Sequence, residues 1–216
     1  QVAAFIVEPI QGKGVNLPTD EFLPGALALC RKYGTLFIAD EIQTGIGRTG
    51  KLFACEHEGV RPDMMTLAKG LGNGMPIGAC LVRGPAMDVF KAGSHGSTFG
   101  GNPLAARVAL TVLDVMERDK LVARAATLGQ RIGDGLRQAL DGVAGVTAIR
   151  HHGLMIGVEL DRPCREIMKI ALDRGLLLNV TADNVVRLLP PLILTDAEAA
   201  QIADGTAAAI RVFLAA

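Results

Sequence analysis

The 216-residue sequence predicts an α/β fold with a mainly parallel sheet, followed by a smaller α/β domain. Three observations carry this. Apolar runs of strand length occur at residues 2–7, 35–39 and 64–68, each closed by a polar residue, as in strands buried on both faces. A helical pattern joins the first two, giving a β-α-β unit expected to be parallel and right-handed. From about residue 119, short strands alternate with helical stretches.

The first run ends at Glu8-Pro9, and Gly12-Lys13-Gly14 forms a loop. Pro18-Thr19-Asp20-Glu21 starts a helix to about Tyr33, with Leu23, Leu27 and Cys30 at helical spacing and Gly34 as its stop. Residues 44–62 give a glycine-rich loop and a short polar helix. Gly70, Gly72, Gly74 and Met75-Pro76 make a turn between the strand at 64–68 and another at 77–82. After a second glycine-rich loop at 93–101, Pro103 opens a helix to about Arg118 with Leu104, Val108, Val112, Val115 and Met116 as its apolar stripe. A helix over 119–140, strands at 146–150 and 154–160, a helix at 164–174 and strands at 176–179 and 185–188 follow. Thr195-Asp196-Ala197-Glu198 is a capping box for the last helix. The expected division is 1–102 as part of a large domain, 103–118 as a connecting helix and 119–216 as a small domain.

Half of the residues are hydrophobic, enough for a sizeable core, and the formal net charge of zero gives no support for a nucleic-acid or membrane partner. No apolar run reaches membrane-spanning length. Cys30, Cys55, Cys80 and Cys164 lack metal-site spacing, so no metal is expected and reduced thiols in a cytoplasmic protein are the default reading. The chain leads from Gln1 at once into a strand that needs a neighbour on each side. The expectation is therefore the C-terminal portion of a longer protein.

Asp40 and Lys69 close two of the apolar runs. Ligands of open α/β sheets lie beyond the carboxyl ends of strands, so this pair is placed to hold an aldehyde cofactor by its two reactive poles. A lysine there, partly desolvated, is a Schiff-base nucleophile; the other reading is a surface lysine at a strand end. Asp40 could keep a pyridine nitrogen protonated, or serve only as a loop or cap residue. Gln43 could reach a ring oxygen. Ser97 and Thr98, among glycines, could cradle a phosphate or sit in an ordinary flexible loop. Arg187, in apolar surroundings, faces either a substrate carboxylate or a structural ion-pair partner.

Together, Phe37-Ile38-Ala39-Asp40-Glu41-Ile42-Gln43-Thr44-Gly45-Ile46-Gly47-Arg48-Thr49-Gly50, Pro62-Asp63-Met64-Met65-Thr66-Leu67-Ala68-Lys69-Gly70-Leu71, Gly96-Ser97-Thr98-Phe99-Gly100-Gly101-Asn102-Pro103, Glu8-Pro9-Ile10-Gln11-Gly12 and Val186-Arg187-Leu188-Leu189-Pro190-Pro191-Leu192 resemble the class III (ornithine-type) aminotransferases over essentially the whole chain. The resemblance implies a fold type I pyridoxal phosphate (PLP) enzyme: the C-terminal half of the large, mainly parallel-sheet domain plus a small α/β C-terminal domain. Lys69 would bind the cofactor aldehyde and shuttle the substrate proton, and Asp40 would pair with the pyridine nitrogen. Gln43 would contact the phenolic oxygen, with Glu41 and Ile42 on the same cofactor-binding edge; the other reading of Glu41 is a structural carboxylate. Thr98 would reach the PLP phosphate of the other subunit in a homodimer, Ser97 would lie beside the substrate, and Arg187 would bind a substrate carboxylate.

The residues 95–105, Gly153-Leu154-Met155-Ile156-Gly157 and the Arg187 segment most resemble members that act on acetylornithine. The implied reaction moves an amino group between that donor and 2-oxoglutarate in arginine biosynthesis, with ornithine, succinylornithine or 4-aminobutyrate as alternative donors. Two departures stand out. Lys13 occupies a loop position where the family usually has Glu, and the chain has about half the family's length. A protein consisting of these residues alone is expected to bind PLP weakly or not at all.

Overall fold

The computed structural model describes residues 2–216, which divide into two compact units. The first contains residues 2–10, 18–47 and 51–121, and the second residues 11–17, 48–50 and 122–216. The short segments 11–17 and 48–50, which sequence alone placed with the large domain, belong to the second unit.

In the first unit, β1 (Ala4–Val7), β2 (Leu36–Asp40), β3 (Met64–Leu67) and β4 (Ala79–Val82) form a sheet in that order. β1, β2 and β3 are parallel and β4 is antiparallel to β3. The expected β-α-β unit is present, with α1 (Phe22–Tyr33) as its helix. Pro24 falls in the first turn of α1, where its missing N–H has no intrahelical partner to lose. Gly34 ends the helix at φ 66°, its N–H donating to the Cys30 carbonyl. Side chains alternate along β2: Phe37 and Ala39 are buried, whereas Leu36, Ile38 and Asp40 are only half-buried. One side of the sheet is thus packed, and the other, which carries Asp40, is comparatively open.

Asp63, 2% exposed, fixes the start of β3. Its carboxylate accepts from Arg31 Nη1 of α1 at 2.7 and 2.9 Å and from the Phe37 N–H of β2 at 2.9 Å. β4 begins two residues later than expected, after the Gly72–Pro76 turn. A Cβ on Gly72 would lie 2.1 Å from the Met75 carbonyl oxygen, so the turn closes only around glycine. α2 (Pro103–Arg118) has the expected start, with Asn102 Oδ1 accepting from the Ala105 N–H at 2.9 Å. Its expected stripe matches the buried face in part, with Val108, Val112 and Val115 half-buried. Ala105, Ala109 and Met116 are buried, and Leu104 is 64% exposed.

The second unit packs α3 (Leu121–Leu140), α4 (Ile167–Leu172) and α5 (Asp196–Leu214) with an antiparallel sheet, although Leu121 itself falls in the first unit. The sheet order is β5 (Val146–His152), β6 (Met155–Leu160), β8 (Val185–Leu188), β7 (Asn179–Thr181). Leu128, Ile132, Leu136 and Leu140 recur every four residues on α3. They meet Ile156, Val158 and Leu160 of β6 and an Ala199, Ala203, Ala207 and Ile210 stripe of α5 in one core. The capping box forms: the Thr195 N–H donates to Glu198 Oε2 at 2.7 Å and the Glu198 N–H to Thr195 Oγ1 at 3.2 Å. The strand expected at 176–179 lies at Asn179–Thr181 instead.

α3 crosses the β5–β6 turn at contact distance. A Cβ on Gly129 would stand 2.0 Å from the Gly153 carbonyl oxygen, and neither backbone can yield cheaply. Gly129→Ala gains about 1 kcal/mol of helix propensity. The overpacking costs up to about 3 kcal/mol or more, so a net loss is expected as a lower urea midpoint. Gly25→Ala, where nothing lies within 4 Å of the added methyl, should not lose stability.

Candidate active site

β2 ends on Asp40, and the parallel register sets Asp40 directly beside Thr66 of β3, on the same face. Thr66 Oγ1 donates to Asp40 Oδ1 at 2.9 Å, and the Ile42 N–H donates to that same oxygen at 3.1 Å. Oδ2 accepts from no described residue. The half-buried carboxylate is therefore oriented by one oxygen and offers the other. Ile42, expected on the cofactor-binding edge, contributes through its backbone by holding Asp40. Gln43 is half-buried in the turn that follows.

Glu41 is different. Expected beside Asp40 on the cofactor edge, it is 1% exposed and committed to the protein interior. Its carboxylate accepts from Thr44 Oγ1 at 2.5 Å, from the Ala54 N–H at 3.0 Å and from the Cys55 N–H at 2.8 Å. Its carbonyl accepts from the Gly45 N–H, and a Cβ on Gly45 would stand 2.7 Å from that oxygen. Its N–H donates to the Thr66 carbonyl. Glu41 thus staples the turn after β2 to the 3-10 turn Ala54–Glu58. Burial first, and the Glu41 charge second, push the Cys55 thiol up to about 12, so it is a neutral packing group.

Lys69 lies three residues past Thr66, at the start of the 3-10 turn Lys69–Leu71. Its φ of 39° is in the left-handed region, which costs a residue with a side chain about 1 kcal/mol and recurs at functional positions. Lys69 is exposed among the described residues. Ser97 and Thr98 are exposed in the loop before α2, where the Gly100 N–H donates to the Ser97 carbonyl.

Arg187 stands on β8 of the second unit, between Gly157 of β6 and Asn179 of β7. Its Nη1 donates to the Gly12 carbonyl at 2.8 Å, and burial pulls its pKa below the usual guanidinium value, leaving it protonated. The segment 11–17 is held in the same unit by Arg150, which donates to the Val15 and Gly14 carbonyls at 2.7 and 2.6 Å and to Glu159 at 2.5 Å. Lys13 lies on this segment, its carbonyl accepting from Asn16 Nδ2.

Three supporting residues escaped the sequence reading. Thr66 and Asp63 had no assigned role, and neither did Arg48. Arg48 donates to the Pro190 carbonyl at 2.5 Å and the Leu154 carbonyl at 3.3 Å, while its own carbonyl accepts from the Leu154 N–H. Burial brings its pKa down to about 10, so it remains charged at neutral pH. Strand alternation was a usable signal for Glu41: adjacent residues at a strand end point to opposite faces, so Asp40 and Glu41 could not both serve one edge.

A family model for class-III aminotransferases matches residues 1–210. The chain belongs to this family. Among curated class-III relatives, acetylornithine aminotransferase 1 of Bordetella parapertussis is 50% identical over 216 residues, all of this chain and 55% of the relative. Ornithine aminotransferase of Bacillus cereus is 47% identical over 196 residues, 90% of this chain and 49% of the relative. The chain spans about half the length of the relatives it matches. Among solved structures, an ornithine aminotransferase of Toxoplasma gondii, described with partial occupancy of PLP at its active site, superposes with a TM-score of 0.93 at 42% identity. That match covers 97% of this chain and 51% of that one. An acetylornithine aminotransferase of Elizabethkingia anophelis gives 0.90 at 42% identity, covering 97% and 57%. The aminotransferase fold is thus shared over nearly the whole chain.

Proposed function

We propose that these residues carry the lysine and pyridine-binding part of a PLP-dependent transaminase moving an amino group between acetylornithine and 2-oxoglutarate. The observation that carries the reading is the end of the parallel sheet. There Asp40, oriented through one oxygen, adjoins the strand that leads to Lys69. The donor set fits PLP: an oriented carboxylate with an uncommitted oxygen suits a pyridine N–H, and an exposed amine at the next strand end suits an aldehyde.

Bound PLP supplies an electron sink for the pair released when a substrate C–H bond breaks. Asp40 holds the ring nitrogen protonated. The Lys69 amine, once released from the cofactor aldehyde, would take the proton from the substrate carbon and pass it to the cofactor, leaving the amino group there. Arg187 pairs with a substrate carboxylate, and its five fixed donors suit a bidentate contact. In a homodimer, Thr98 would hold the phosphate of PLP bound to the second subunit and Ser97 would lie beside the substrate. Amino donor and keto acid react in turn, so ping-pong kinetics are expected.

Removing Arg187 tests the carboxylate assignment. In the full-length polypeptide, Arg187→Met should raise the KM for 2-oxoglutarate roughly 10- to 100-fold, the worth of one charge-assisted pair. Unchanged KM would leave Arg187 a structural residue tied to Gly12. The donor is tested by comparing kcat/KM for acetylornithine, ornithine, succinylornithine and 4-aminobutyrate. Acetylornithine is expected to lead. The ornithine-named relatives support free ornithine as the second reading, and a large preference for it would replace the first.

A further inference from the structure

We propose that Thr66 is a positioning residue for Asp40, a role that rests on the reading of Asp40 as the partner of a pyridine nitrogen. The geometry divides the Asp40 carboxylate into two oxygens with different tasks. Oδ1 accepts the Thr66 hydroxyl at 2.9 Å and the Ile42 N–H at 3.1 Å. These donors come from different elements, the neighbouring strand and the turn after β2, so together they fix the carboxylate plane. Oδ2 accepts from no described residue and is the oxygen left for a ligand.

The backbone explains why a threonine on β3 can do this. Asp40 and Thr66 are Cα partners in the parallel ladder, so their side chains leave the sheet on the same face. The same ladder continues through Thr66 to Glu41, whose N–H donates to the Thr66 carbonyl at 3.0 Å, so Thr66 cannot slide relative to Asp40. Its β-branched side chain has few χ1 states, which keeps the hydroxyl aimed. A carboxylate held this way also has part of its negative charge drawn toward Oδ1. Thr66 therefore influences how strongly Asp40 holds a proton on a bound ring as well as where Asp40 points.

Thr66→Val keeps the shape and removes the donor, and Thr66→Ser keeps the donor. The readouts are the PLP dissociation constant and the pH midpoint of the visible absorbance band of the PLP-loaded full-length polypeptide. Thr66→Val should weaken PLP binding about fivefold, the worth of one hydrogen bond, and displace the midpoint, with Thr66→Ser restoring both. If Thr66→Val does not fold, Thr66→Ala provides the same comparison. Wild-type binding and midpoint in the variant lacking the hydroxyl would overturn the proposal, provided Asp40→Ala impairs both. If Asp40→Ala also behaves as wild type, or the wild-type protein takes up no PLP, the reading of Asp40 falls and the role of Thr66 falls with it.

Discussion

Lys69→Ala should reduce transamination by the full-length polypeptide roughly 10⁴-fold, the upper range for a positioned proton-transfer group, while leaving the fold intact. The structure supports both halves of this expectation. Lys69 is exposed, and no described residue hydrogen-bonds or pairs with its side chain, so truncation should change stability by less than about 0.5 kcal/mol. Lys69→Arg should be as inactive as Lys69→Ala, because a guanidinium stays protonated and cannot act as the amine. Steady-state rates with an amino donor and 2-oxoglutarate, set beside urea melts of the same variants, check this. Activity in Lys69→Ala within tenfold of wild type would remove Lys69 from the mechanism.

Glu41→Ala should do the reverse, costing stability far more than chemistry. Removing the buried carboxylate leaves Thr44 Oγ1, the Ala54 N–H and the Cys55 N–H without their acceptor in a site closed to water. At about 1–3 kcal/mol for each orphaned buried group, partly relieved by relaxation, a loss of about 4 kcal/mol is expected. Glu41→Gln keeps one acceptor oxygen but sets an amide NH2 against N–H donors, and about 2 kcal/mol should be lost. A second signal is available at Cys55. Glu41 is one of the causes holding its thiol up near 12, so a thiol reagent should modify Cys55 faster in Glu41→Gln than in wild type. The folded fraction of Glu41→Gln should turn over close to the wild-type rate. A large fall in kcat at unchanged stability would return Glu41 to the cofactor edge.

Local chemistry was the readable part of this sequence. Pro18 through Glu21 and Gly34 bracket α1 because helix starts and left-handed stops depend on neighbouring residues only. The Thr195–Glu198 box and the Asn102-Pro103 start are local in the same way. The strands that lead to Asp40 and Lys69 were legible because each is a short apolar run closed by a polar residue. What was not legible depends on register and packing. Thr66 meets Asp40 only because β2 and β3 pair in one particular register, and a slip of one residue would turn it to the other face. Asp63 and Arg48 act across 26 to 142 positions of sequence, where no local pattern reports them. Residues 176–178 are an apolar run outside the sheet: Leu177 is 85% exposed, and the ladder starts at Asn179. The α2 stripe shows the same limit at one end, where Leu104 is exposed, since periodicity identifies an apolar face without showing what lies against it.

On the proposed function, Lys69 is the amine that holds PLP. Borohydride reduction of the PLP-loaded full-length polypeptide, followed by peptide mapping, tests it most directly, because reduction fixes the cofactor to the nitrogen that held it. One pyridoxyl group on Lys69, absent from Lys69→Ala, is the expected result. A label on another lysine, or undiminished labelling in Lys69→Ala, would contradict it.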